Sequence, residues 1–176
     1  MRYIVKYLLL FLLLVGSSSI MLAQDSSAIK KAVMIYHPEL DAKKQIADAV
    51  KIANQQNKNV LLMVGGNWCR WCRMFQKFIE ADAPIDSLLK KDFVMEHINY
   101  SKEVPNLETL KALDFPQRFG YPVFVILDVD GKRIHTQNSS YLEDGEGYSK
   151  ERTLEFLNQW SPRALDPKQY EQVIKK

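Results

Sequence analysis

The chain has 176 residues, of which 47% are hydrophobic and 26% are charged, and its formal net charge is +3. This length suits one domain plus a targeting segment, and the composition excludes a disordered or fibrous chain. No basic stripe runs through the sequence, so nothing indicates a nucleic acid or an anionic membrane surface as a partner.

The N-terminus has the pattern of a secretory signal peptide. Two basic residues precede an unbroken apolar run over 7–15, and a glycine and three serines lead on toward Ala23. We therefore expect a cleaved signal peptide over residues 1–23 and a polar linker over 24–31. An uncleaved anchor is the alternative, although the apolar segment is only just long enough to span a bilayer.

Strands and helices are predicted to alternate in the first half of the remaining chain. A short strand is predicted over 32–36 and an amphipathic helix over 41–57. The continuous apolar run 60–64 is typical of a strand buried on both faces. A Gly-Gly-Asn turn over 65–67 then leads into a second helix, which Pro84 stops or kinks.

The second half continues this alternation and ends in a hairpin and helices. The predicted elements are a strand over 93–100, a helix over 106–113, a buried strand over 123–127, an Asp130-Gly131 turn, a return strand over 132–137, a loop over 138–148, a helix from Ser149 to Trp160 and a short helix from Asp166. This order predicts an α/β fold with a central mixed sheet and helices on both faces. We expect one domain over 32–165 and a helical tail over 166–176.

The two cysteines, Cys69 and Cys72, lie three residues apart at the start of the second predicted helix. The helix dipole and the unpaired N–H groups of a first turn favour a thiolate there. Cysteines in this setting have pKa values of about 3.5 to 7, against about 8.5 when free. Arg70 and Arg73 add positive charge. We predict that Cys69, as the more exposed cysteine, attacks a partner disulfide and that Cys72 resolves the mixed disulfide.

Three other interpretations of the pair remain open. A zinc site would need further ligands, but no second cysteine pair exists and the three histidines are dispersed. Copper could be bound with help from Met63 or Met74, although both methionines also suit core positions. An inert structural disulfide would restrain little chain across so short a loop. We expect neither a metal nor a bound cofactor.

The run 60–72, with Trp68 directly before the first cysteine, resembles the strand, turn and active site of thioredoxin-like proteins. The stretch 120–124 resembles the loop that carries the cis-proline of that family. The resemblance covers roughly residues 32–162. It is strongest to exported thioredoxin-like proteins of Gram-negative bacteria and to the C-terminal domain of the disulfide reductase DsbD, and it implies a periplasmic or secreted protein.

The resemblance implies roles for residues around the cysteines. Pro122 would follow a cis peptide bond and pack beside the cysteine pair, so that Tyr121 can pair with a substrate backbone. Trp68, Arg70 and Trp71 would shape the active site and its partner surface. The alternatives are a trans proline that begins a strand and a tryptophan that belongs to the core.

The sequence also departs from the family pattern. Met63 stands where thioredoxins carry a buried aspartate, Asn67 stands where a glutamate is common, and the residues between the cysteines are not Gly-Pro. An internal base for Cys72 is therefore missing unless Glu80, Asp82 or water supplies one. We therefore expect slower resolution of the mixed disulfide by Cys72, or a redox poise of the cysteine pair that differs from that of thioredoxins.

Together these features predict a monomeric thiol–disulfide oxidoreductase that acts on cysteine-containing exported proteins. A membrane electron donor or acceptor is a further expected partner, and the direction of electron flow is left open because related folds span about −270 to −120 mV. Two alternatives belong to other classes: a binding or chaperone module with an incidental dithiol, and a metallochaperone.

Overall fold

The computed structural model describes residues 34–171. The signal peptide and the linker predicted over 1–31 lie outside the described residues, as do the last five residues of the predicted tail. Within the described part, no helix is both long enough and apolar enough to cross a membrane.

A four-stranded mixed sheet forms the centre of the fold, in the order β2-β1-β3-β4. The strands are β1 (Asn59–Gly65), β2 (Phe93–Asn99), β3 (Val123–Leu127) and β4 (Arg133–Asn138). The pairing of β1 with β2 is parallel, whereas β1 with β3 and β3 with β4 are antiparallel. Every residue of β1 and β3 is buried, which confirms the interpretation of both apolar runs.

Helices cover both faces of this sheet, as predicted. They are α1 (Ala42–Gln56), α2 (Arg70–Ala81), α3 (Ala83–Asp92), α4 (Leu107–Ala112), α5 (Lys150–Gln159) and α6 (Pro162–Leu165). Side chains alternate along β1: Leu61 and Met63 pack with α2, α3 and α5, whereas Leu62 and Val64 pack with α1 and α4. This alternation produces two apolar cores, one on each face of the sheet.

The helix boundaries follow from local chemistry. The Asp41 side chain accepts from the N–H groups of Lys43 and Lys44 and so caps the start of α1, which Asn57 ends in the left-handed region at φ 51°. The predicted break at Pro84 is confirmed, because α2 ends at Ala81 and α3 begins at Ala83 with that proline in its first turn.

The strand predicted over 32–36 is wrong in its described part, because residues 34–37 have no regular secondary structure. The backbone N–H groups of Ile35 and Tyr36 donate to the side chain of Asn67 instead, each at 3.1 Å. Tyr36 is therefore buried without a neighbouring strand, whereas Met34 is exposed.

The loop predicted over 138–148 contains short regular elements. A 3₁₀ turn over Ser139–Leu142 precedes β5 (Glu143–Asp144) and β6 (Gly147–Tyr148), which pair as a small hairpin. Gly145 permits the tight connection because its φ is 56°. The helix predicted from Asp166 is a 3₁₀ turn over Pro167–Gln169.

Candidate active site

The two cysteines form a disulfide at the first turn of α2, with their Cα atoms 5.3 Å apart. Cys69 is the N-cap residue, and its Sγ accepts the backbone N–H of Cys72 at 3.1 Å. Cys69 is the more exposed of the two, although only 4% of its surface is accessible against 0% for Cys72. The helix terminus therefore directs a backbone donor and its dipole at the sulfur of Cys69, and both favour a thiolate.

Aromatic residues lie beside the cysteine pair. Trp68 is 56% exposed, and its Nε1 donates to the backbone carbonyl of Tyr100 at 2.8 Å. The Trp68 and Tyr121 rings pack edge-to-face, and Tyr121 stacks on Tyr100 with ring centroids 5.0 Å apart. Trp68 is thus a surface residue held by neighbours, and the alternative of a core tryptophan is wrong. Burial raises the pKa of Tyr121, so its hydroxyl stays neutral.

The loop before β3 lies at the same end of the sheet as the cysteines. The Tyr121–Pro122 peptide bond is cis, as the family resemblance implied, and Gly120 adopts a φ of 89°. Val123 pairs with Val64 in the antiparallel register of β3 and β1. The proline therefore lies beside the turn that leads from β1 to Cys69.

The two residues between the cysteines lie in different environments. Arg70 is exposed. Trp71 is half-buried and packs edge-on against Tyr148, whose hydroxyl donates to the Trp71 backbone carbonyl at 3.3 Å. The hairpin of β5 and β6, which the sequence did not predict, thereby supports the active-site turn from one side.

Asn67 connects the active-site turn to the N-terminal segment. Its Oδ1 accepts the N–H groups of Ile35 and Tyr36, and its Nδ2 donates to the Tyr36 carbonyl at 2.8 Å. The Arg73 guanidinium donates to the backbone carbonyl of Asn67. The sequence singled out Asn67 only as a departure from the family pattern, and no sequence signal pointed to this clamp.

Neither carboxylate suggested as a base for Cys72 is placed for that role. Glu80 is exposed and accepts from Gln76 at 2.7 Å, whereas Cys72 is fully buried. Asp82 caps α3 and pairs with Lys150 at 2.7 Å; hydrogen bonding to Lys150 is the main cause that lowers its pKa. Met63 is fully buried among apolar side chains, so the aspartate position of thioredoxins holds no titratable group.

Tyr36 is a residue near the site that sequence reasoning missed. Its ring is fully buried in the same core as both cysteines and packs edge-on against His97, with ring centroids 5.4 Å apart. The sequence placed Tyr36 in a strand and gave no reason to connect it with Cys72. Among residues 34–171, no three His, Cys, Asp or Glu side chains are grouped as a metal site would require.

Comparisons with known proteins agree with this geometry. The model of a family described as thioredoxin-like matches residues 41–129, half of the chain. The thiol:disulfide interchange protein DsbD of Colwellia psychrerythraea (strain 34H / ATCC BAA-681) is 25% identical over 96 residues, which are 54% of this chain and 16% of that relative. The match thus spans about a sixth of the length of that curated relative.

Solved structures share the fold. The disulphide isomerase from Xylella fastidiosa Temecula1 matches with a TM-score of 0.64 and 27% identity, covering 72% of this chain and 95% of that one. The oxidised C-terminal domain of DsbD from Neisseria meningitidis matches with a TM-score of 0.50 and 18% identity, covering 68% and 96%, and shows the fold alone. The chain belongs to the thioredoxin-like family. Its fold and its CxxC disulfide are those of a thiol–disulfide oxidoreductase.

Proposed function

We propose that Cys69 is the nucleophile of this oxidoreductase and that Cys72 is its resolving cysteine. The observation that carries the proposal is the hydrogen bond from the Cys72 N–H to Cys69 Sγ at the start of α2. This bond and the helix dipole stabilise negative charge on Cys69, whereas Cys72 lies one turn deeper and is fully buried.

The exchange proceeds in two displacements. In the reducing direction, the Cys69 thiolate attacks one sulfur of a partner disulfide, and the other partner sulfur leaves as a thiolate with the electron pair of the broken bond. The Cys72 thiolate then attacks Cys69 Sγ, so that the internal disulfide forms and the second partner thiolate leaves. The reverse sequence oxidises a partner dithiol.

Trp68, Tyr121 and Pro122 support a docking surface for an extended partner segment. Trp68 offers an exposed aromatic face beside the cysteines, and the Tyr121–Pro122 loop lies next to it at the end of β3. An extended segment can pair with such a loop through main-chain hydrogen bonds, which recognise many sequences. Arg70 and Trp71 complete this surface from the helix side.

We further propose that the protein acts outside the cytoplasm of a Gram-negative bacterium on cysteine-containing exported proteins, with a membrane electron donor or acceptor as its redox partner. The signal-peptide pattern over 1–23 supports this location. Export also suits a dithiol enzyme, because disulfides persist in oxidising compartments. The likeness to DsbD, a thiol:disulfide interchange protein, supports the class of partner.

Reduction of insulin by dithiothreitol tests the assignment of the two cysteines. Cys69→Ser should abolish acceleration over the uncatalysed rate, because no nucleophile remains. Cys72→Ser makes the same chemical change one turn away and should instead accumulate a mixed disulfide between Cys69 and the substrate, visible on a non-reducing gel. Full activity of Cys69→Ser would overturn the proposal.

The exposed aromatic face of Trp68 favours a second candidate, a module that binds unfolded chains. A variant with both cysteines replaced by serine separates the two functions. If binding is the function, this variant suppresses aggregation of a reduced client protein as well as the parent chain does. If exchange is the function, the suppression is lost with the cysteines.

A further inference from the structure

Among the residues that the structure describes, the hydroxyl of Tyr36 is a buried polar group without a partner. The side chain is fully buried, and its Oη has no hydrogen-bond partner within residues 34–171. Buried hydroxyl groups are nearly always hydrogen-bonded, because an unpaired one loses its contact with water and gains nothing in return. Within the described part of the chain, the disulfide form therefore contains a hydroxyl donor without an acceptor.

This hydroxyl and the sulfur of Cys72 face the same small space. A Cβ atom added to Gly65 would lie 2.5 Å from Cys72 Sγ and 2.7 Å from Tyr36 Oη. Gly65 ends β1 directly before the active-site turn. Because glycine has no side chain, the space between the hydroxyl and the sulfur stays open.

The backbone around Tyr36 is fixed on the active-site turn. Asn67 binds both the N–H and the carbonyl of Tyr36, and Arg73 from α2 binds the carbonyl of Asn67. The Tyr36 ring also packs edge-on against His97. The hydroxyl is thus positioned by the same turn that carries the cysteines.

We infer that Tyr36 donates a hydrogen bond to the sulfur of Cys72 when the disulfide is reduced, and that it stabilises the Cys72 thiolate during resolution. This inference rests on the proposed role of Cys72. A disulfide sulfur is a weak acceptor, whereas a thiolate is a strong, charged one. The hydroxyl therefore gains its partner only in the states that contain reduced Cys72.

Tyr36 acts as a donor and keeps its proton. Burial raises the pKa of this tyrosine well above 10, and Tyr148 adds to the effect. Two titratable neighbours are uncharged near neutral pH: burial lowers the pKa of His97 to about 4 and raises that of Tyr148. The Arg73 guanidinium, which donates to the Asn67 carbonyl, is a charged group nearby. The proton of Cys72 passes to water before the attack, and the electron pair of the Cys72 thiolate then forms the bond to Cys69 while the partner thiolate departs.

The thiolate titration of Cys72 tests this inference directly. In a Cys69→Ala chain, Cys72 is the only cysteine, and its ¹³Cβ chemical shift followed against pH by NMR reports its titration without exchange activity. Adding Tyr36→Phe should reduce the thiolate fraction about tenfold at any pH below the midpoint, because one hydrogen bond to a charged group is lost. An unchanged titration would overturn the inference.

Tyr148→Phe is the matched control in the same Cys69→Ala background. It removes a hydroxyl from the same core, but that hydroxyl donates to the Trp71 carbonyl rather than facing Cys72. The pH midpoint of the Cys72 titration should be the same as in the Cys69→Ala chain. An equal shift in this control would assign the effect to a general loss of buried hydroxyls and overturn the role of Tyr36.

The redox equilibrium of the chain with both cysteines gives a second readout. At a pH above the Cys72 midpoints of both chains, Tyr36→Phe should favour the disulfide about tenfold against glutathione, which is about 30 mV toward a more negative potential. Insulin reduction by the parent chain is scored separately. A shifted Cys72 titration without insulin reduction would support Tyr36 and reject the proposed function, whereas insulin reduction with an unshifted titration would do the reverse.

Discussion

At the scale of single residues, two departures from the thioredoxin pattern have one structural explanation. Met63 contributes only apolar surface where thioredoxins have a buried carboxylate. Asn67, two residues before Cys69, uses its amide to hold the backbone of Tyr36 beside the active-site turn. The polar group near Cys72 therefore comes from a different segment of the chain, and it is a neutral donor rather than a base.

His97 makes the stability of the fold depend on pH. Burial lowers its pKa from 6.5 to about 4. Between these values the unfolded chain binds a proton at His97 that the folded chain does not, so the free energy of unfolding falls as the pH falls through this window. The loss should reach up to about 3 kcal/mol. Urea unfolding of the oxidised protein at several pH values from 7 to 4 measures it.

His97→Gln separates this contribution from that of the carboxylates, which titrate in the same range. In this variant, the free energy of unfolding should fall much less between pH 6.5 and 4.5 than in the parent chain. His135→Gln should keep the decrease of the parent chain, because only His97 lies beside Tyr36 and Gln76. The same pH dependence in His97→Gln as in the parent chain would show that His97 is not the cause.

At the scale of elements, the helices end where capping residues dictate, whereas the N-terminal segment does not follow its apolar pattern. Residues 34–37 have the composition of a strand, but a strand also needs a partner edge. The side chain of Asn67 satisfies the backbone groups of Ile35 and Tyr36 instead. An isolated amide from a turn has replaced a strand pairing here.

The start of α5 provides a test of capping. Ser149 Oγ accepts the N–H of Arg152 at 3.3 Å, and α5 packs on the core that contains the cysteines. Ser149→Ala should lower the free energy of unfolding by about 1 kcal/mol. Ser87→Ala, at an exposed position within α3, should have little effect. Equal effects of the two substitutions in urea unfolding would contradict the capping role.

At the scale of the whole molecule, the described domain is built around β1. This strand pairs with β2 on one side and β3 on the other, and its side chains enter both cores. The active-site turn begins at its end, so the position of Cys69 is fixed by a fully buried central strand. The small β5–β6 hairpin is much less extensively paired than β1, because its pairing covers only two residues of each strand.

Hydrogen exchange should reveal this difference in local stability between β1 and the β5–β6 hairpin. Amides of β1 and β3 should exchange only through global unfolding, since both strands are fully buried and paired along their length. Amides over 143–148 should exchange much faster, through local opening. Exchange measured by NMR on the oxidised protein checks this order, and protection of the hairpin equal to that of β1 would contradict it.

The sequence by itself determined the α/β class, the two buried strands, the break at Pro84 and the cysteine pair at a helix start, because each depends on local periodicity, capping or spacing. The interpretation of residues 1–31 stays a prediction. Only the tertiary structure decided that Trp68 is exposed, that the 138–148 segment supports Trp71, and that Asn67 brings Tyr36 to the side of Cys72. These features join residues about 30 to 80 positions apart. No local sequence pattern predicts such contacts, because the residues become neighbours only when the helices pack on both faces of the sheet.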